Sequence, residues 1–83
     1  MSPGLNVLLF GPLAELAGQR EVVLSAPTPR TAGEAWSALV AVHPRLRGAE
    51  KSVRVAVNEC YTVWSAEVAD GDTVAFLPPV AGG

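Results

Sequence analysis

Apolar residues run almost without a break from Leu5 to Phe10, and Gly11-Pro12 ends the run. A short continuous apolar stretch of this kind predicts a strand covered on both faces. Leu13 to Ala17 predicts a short helical turn with Gly18 as its stop. Glu21 to Leu24 reads as a second strand, and Ser25 to Arg30, carrying Pro27 and Pro29, as a loop. Thr31 opens the clearest helix. Thr31 and Glu34 have capping-box spacing, in which each side chain satisfies an otherwise unpaired backbone N–H. Ala32, Trp36, Leu39, Val40 and His43 then recur on one helical face, and Pro44 closes the helix by disfavouring helical geometry at His43. Pro44 to Ser52 is polar and predicts a loop. Val53, Val55 and Val57 alternate with Arg54 and Ala56, which is the signature of a strand. Asn58-Glu59 predicts a tight corner, Tyr61 to Trp64 a further strand, Asp70-Gly71 a turn, and Thr73 to Leu77 the last strand. Pro78-Pro79 stops that strand from pairing further, and Val80 to Gly83 trails beyond it.

The order strand, strand, helix, then several strands implies an α+β domain, with one main helix packed on one face of a mixed sheet. The first and last strands can lie parallel because the Thr31 helix supplies the crossover between them. That is the β-grasp, or ubiquitin-like, arrangement. The chain of 83 residues allows one domain, 1–83, with a flexible C-terminal tail expected at 80–83. The alternation of strand side chains also sorts them by face. If the helix covers the face bearing Val7 and Phe76, then Phe10 and Leu77 lie on the open face, where apolar residues are expected to meet a partner.

Composition strengthens the expectation of a partner. Apolar residues make up 49% of a chain too small to bury them all. The 6 basic residues form no run, and Glu50 sits among Arg45, Arg47 and Lys51, so no nucleic-acid partner is expected. The Leu5–Phe10 run is too short for a signal peptide or membrane span and has no preceding Lys or Arg, so no membrane is expected and the default location is cytoplasmic.

Side-chain chemistry is sparse. No glycine-rich phosphate loop and no metal-ligand spacing is present. His43 at a helix end reads as a structural or capping residue. The single Cys60 reads as a partly buried, inert thiol, which excludes an internal disulfide. Asp70 and Asp72 read as turn residues and Trp36 as core, while Trp64 fits either core or partner surface. The tail is different. Its four residues after Pro79 span roughly 13 Å when extended. That is enough to enter another protein's active site while the body stays outside. Glycine threads a narrow channel and accepts most backbone angles. A carboxylate on Gly83 is unshielded by any side chain, and adenylation would turn it from a poor electrophile into a good one. These are the needs of a terminus that is activated and loaded.

The run Asp70-Gly71-Asp72-Thr73-Val74-Ala75-Phe76-Leu77-Pro78-Pro79-Val80-Ala81-Gly82-Gly83 resembles the C-terminal signature of molybdopterin synthase small subunits, the MoaD family. Val7-Leu8-Leu9-Phe10 through Glu15-Leu16-Ala17-Gly18 is similar to that family's first strand and turn, and Val55-Ala56-Val57-Asn58 to its middle strand and corner. The resemblance implies a sulfur carrier that binds no cofactor itself and has no catalytic side chains of its own. On this resemblance it would be the non-catalytic sulfur-donor subunit of an enzyme complex. A ubiquitin-activating-type enzyme uses ATP to adenylate Gly83, and sulfur transfer then gives a thiocarboxylate. The carrier docks on the large synthase subunit, two small with two large, and delivers sulfur to cyclic pyranopterin monophosphate to build the molybdopterin dithiolene. Gly83 then carries the reacting group and Gly82 threads the channel. Pro78, Pro79, Val80 and Ala81 make the approach, and Tyr61 joins Phe10 and Leu77 at the interface. Three alternatives stay open: a ThiS-like carrier serving thiamin synthesis, a ubiquitin-like modifier conjugated through Gly83, and a plain interaction domain.

Overall fold

The computed structural model describes residues 4–25 and 27–79. In chain order the elements are strand β1 (Leu5–Leu9), helix α1 (Pro12–Ala17), strand β2 (Glu21–Leu24), helix α2 (Ala32–Val42), strand β3 (Arg54–Val57), strand β4 (Cys60–Thr62) and strand β5 (Thr73–Leu77). The strands form one five-stranded sheet in the order β2-β1-β5-β3-β4. β1 and β5 pair in parallel at its centre, Leu9 opposite Phe76, and the other pairs are antiparallel. This is the α+β arrangement expected from the sequence, with α2 against one face.

Local chemistry sets these elements. α1 stops at Gly18, whose left-handed backbone (φ 74°) lets its N–H reach the Ala14 carbonyl. At the start of α2, the Thr31 hydroxyl accepts from the Glu34 N–H at 3.1 Å. The Glu34 carboxylate reaches back to the N–H of Arg30, one residue before the cap, at 3.0 Å. His43 ends the helix by donating its backbone N–H to the Leu39 carbonyl. Asn58 and Glu59 both have positive φ, 49° and 71°, as a two-residue hairpin between β3 and β4 requires. The Asn58 side chain also clamps this corner to β5. Its carbonyl accepts from the Thr73 N–H and its amide donates to Asp72.

The core lies between α2 and the sheet: Leu5, Val7, Leu9, Leu24, Val55, Val74 and Phe76 face Ala35, Trp36 and Leu39. Three expectations need correction. β1 is not covered on both faces. Leu5, Val7 and Leu9 are buried, but Asn6 is exposed and Leu8 only half-buried. Its apolar run therefore serves a core on one side and an open surface on the other. Pro44 to Ser52 is not plain loop; it forms two 3-10 turns, Pro44–Leu46 and Ala49–Ser52, and inserts Leu46 fully into the core. A single apolar residue among polar ones gave no periodic signal. Finally, the strand expected at Tyr61–Trp64 is Cys60–Thr62, because Trp64 leaves the ladder and turns into the core. Its ring stacks on Phe76 and meets Trp36 edge-on, each with centroids 5.9 Å apart.

Candidate docking face and tail exit

The register fixes which side chains share the uncovered face. Leu8 of β1 lies opposite Glu21 of β2 and Ala75 of β5. Ala75 lies opposite Ala56 of β3, which in turn faces Tyr61 of β4. One pair further along, Leu77 lies opposite Arg54. Just past the end of β1, the Phe10 N–H donates to the Phe76 carbonyl at 3.3 Å, which keeps Phe10 beside Leu77. Leu8, Phe10, Ala75, Leu77, Ala56 and Tyr61 thus make an apolar band across the sheet, interrupted by one cation. Phe10 is 44% exposed and Tyr61 68%, whereas Phe76, on the covered face of the same strand as Leu77, is fully buried. Leu77 is half-buried.

Two hollows flank the band. A groove of about 770 Å³ lies between the end of β1 and α1, floored by Leu8 and Phe10 and edged by Glu15, Arg20 and Glu21. A smaller cleft of about 230 Å³ lies between β3 and β4, lined by Arg54, Tyr61, Val63 and Trp64. The chain leaves the sheet on this side of the molecule. Pro78 follows Leu77 directly and packs beside Gly11, so that a Cβ placed on Gly11 would lie 3.5 Å from the proline ring. Pro78 is half-buried and Pro79 exposed. Of the residues expected to act, the structure brings Phe10, Leu77, Pro78 and Pro79 together, with Tyr61 two strands away on the same face. Val80, Ala81, Gly82 and Gly83 lie outside the described residues.

The remaining candidates sort differently. His43 caps α2, and Trp36 and Trp64 are core. Cys60 is exposed rather than partly buried: the short edge strand β4 carries it with no element over it. Asp72 accepts from the Ala69 N–H at 2.9 Å and from Asn58, which hold its carboxyl below the ordinary carboxylate range. Asp70 accepts from the Thr28 hydroxyl. Both are turn fastenings. Glu50 is likewise held low, chiefly by the Trp36 indole N–H at 3.0 Å. Among the described residues, no group of His, Cys, Asp and Glu could hold a metal ion. No helix of the described residues is long and apolar enough to cross a membrane. Sequence reasoning had not singled out Arg54 and Val63 as site residues. The period of two from buried Val55 places Arg54 on the open face; Val63, outside β4, gave no such signal.

The arrangement offers an apolar face beside the point where the chain leaves β5 at Pro78-Pro79. Comparisons with known proteins agree with it. The ThiS family model matches residues 7–83. No curated protein matches the chain significantly. Among solved structures, SAMP1 from Haloferax volcanii is 34% identical, with a TM-score of 0.81 over 96% of this chain and 99% of that one. A putative molybdopterin converting factor subunit 1 from Pyrococcus furiosus is 26% identical, with a TM-score of 0.81 over 95% of this chain and 100% of that one. A chain of the Amycolatopsis orientalis BexX/CysO complex is 26% identical, with a TM-score of 0.73 over 95% of this chain and 99% of that one. The match over nearly the whole length, on this sheet order and this terminal pattern, means that the chain belongs to the ThiS family and has its ubiquitin-like β-grasp fold.

Proposed function

We propose that this chain is the sulfur-carrier subunit of a molybdopterin synthase. The observation that carries the reading is the apolar band of Phe10, Leu77 and Tyr61 beside Pro78-Pro79, where the chain leaves the sheet towards Gly82-Gly83. A protein that docks on that band receives the tail at a fixed place. Phe10 and Leu77 supply area whose burial favours association by roughly 25 cal/mol per Å² before the costs of association are subtracted. Pro78 and Pro79 limit the backbone angles available at the exit and so direct the tail. Beyond them Gly82 passes a narrow channel and Gly83 presents its carboxylate.

In this reading an adenylating enzyme of the ubiquitin-activating type joins the Gly83 carboxylate to the α-phosphate of ATP, with pyrophosphate leaving. A sulfur donor then displaces AMP to give the thiocarboxylate. The loaded carrier docks on the large subunit, in a complex of two small and two large subunits, and gives its sulfur to cyclic pyranopterin monophosphate. Acid–base groups come from the large subunit. The Phe76-Leu77-Pro78-Pro79-Val80 approach and the likeness to the Pyrococcus furiosus subunit support the molybdopterin assignment. Reconstitution tests it: the chain bearing a Gly83 thiocarboxylate, a large synthase subunit and cyclic pyranopterin monophosphate. Molybdopterin that forms and is lost on deletion of Gly83 is the expected result. No product, with a large subunit active on its own partner, would refute the assignment. Gly82→Val is expected to leave the fold intact and stop loading or delivery.

The 34% identity to SAMP1, a small archaeal modifier protein, favours a second reading, in which Gly83 is joined to lysines of other proteins. Isopeptide-linked adducts that vanish without Gly83 would be its mark.

A further inference from the structure

Three charged side chains mark the margin of the open face. Glu21 is on the edge strand β2, and Glu15 and Arg20 border the groove beside α1. Arg54 is different: it lies within the band, opposite Leu77 of β5 and in the same cleft as Tyr61 and Val63. Among the described residues its guanidinium takes part in none of the side-chain hydrogen bonds, which engage Thr28, Thr31, Glu34, Trp36, Glu50, Asn58, Asp70 and Asp72 instead. Nor can Glu21 neutralise it. The two are three strands and one alternation apart, roughly 16 Å at ~4.8 Å per strand and ~3.4 Å per residue. That exceeds a screening length of about 8 Å at physiological salt.

An arginine stays charged at any accessible pH. A partner that covers Leu77 and Tyr61 must also cover Arg54 and strip water from it. That burial is unfavourable unless the partner supplies a counter-charge, and a planar carboxylate matches the guanidinium fork with two hydrogen bonds. We infer that Arg54 is the specificity-determining contact of this face. It accepts only a partner whose apolar docking surface carries a carboxylate next to the pocket for Leu77. The inference rests on the docking reading above and names the chemistry the partner must have. The pair fixes the register of docking, and hence where the tail emerging at Pro79 is aimed. A surface with a neutral or basic residue at that place is rejected, although its apolar area is equal.

The test is calorimetric binding of the whole chain to a large molybdopterin synthase subunit at low and high salt, with circular dichroism to confirm that each variant folds. Arg54→Lys, which keeps the charge but not the two-pronged match, should weaken binding about threefold, Arg54→Met about tenfold, and Arg54→Glu about 100-fold, with the Met variant losing most of the salt dependence. A lysine in place of one acidic residue of the large subunit should restore binding to Arg54→Glu and weaken it for the wild type. Met and Glu variants that bind as tightly as wild type, or weaken equally, would overturn the inference while leaving the docking reading in place. A wild-type chain that does not bind the large subunit overturns the docking reading, and the inference with it.

Discussion

The two faces of one sheet carry much the same chemistry and do different work. On the covered face Val7, Val74 and Phe76 are buried under α2; on the open face Leu8, Ala75 and Leu77, their neighbours along the same strands, remain partly in water. Hydropathy alone does not distinguish the two rows. What does is α2, which covers only one side. The covered row is buried within the chain, and the open row is left half-exposed, where the docking reading places a partner. In a domain this small, apolar content beyond what the helix covers fits the proposed docking rather than the needs of the core.

That contrast can be broken most forcefully at Phe76. Phe76→Ala removes a fully buried ring that contacts both tryptophans, and should cost about 3–5 kcal/mol of stability, read by urea unfolding. If the open row serves docking, Leu77→Asp one residue later should do the reverse. Its effect on folding should stay within about 1 kcal/mol, while affinity for the large subunit falls by about 2 kcal/mol or more. Equal loss of stability in the two variants would erase the distinction between the faces. Thr31→Ala, which removes the cap of the covering helix, should cost about 1 kcal/mol in the same unfolding assay and leave binding by the folded chain unchanged. The smallest effect is on pH dependence. Asp72 and Glu50 have folded pKa values below their ordinary 3.8 and 4.5. Their contribution is therefore complete above those ordinary values and disappears as the pH falls through the lower folded ones. Melting temperature measured against pH should show a modest acid-side decline. Asp72→Asn should flatten it without affecting the apolar band.

Most of this contrast was legible beforehand. The period of two in Thr73 to Leu77 separated Phe76 from Leu77, and the Thr31–Glu34 spacing located the helix that decides which is covered. What escaped had no local signature. Leu46 is one large apolar residue among polar ones, and it is buried where both α1 and α2 contact the Pro44–Leu46 turn. Trp64 sits in a strand-like run, yet a contact with Phe76 twelve residues away pulls it out of the ladder. The continuous apolar run of β1 suggested cover on both sides, because a buried row and a half-exposed apolar row interleave to look like a strand at a sheet's heart. Arg54 read as the polar half of an alternation; only Leu77 opposite it and Tyr61 in the same cleft reveal it as a cation set within an apolar surface.

The position of β5 has a bearing on how the molecule comes into being. It is the last strand of the chain, yet it lies between β1 and β3. While the polypeptide is being synthesised from its N-terminus, β1–β2 and β3–β4 can exist only as two unjoined hairpins, and the strand that bridges them is the last to emerge. The sheet therefore closes only once β5 has emerged. A partner that recognises the assembled face would therefore discriminate against any chain in which β5 is missing or not yet paired.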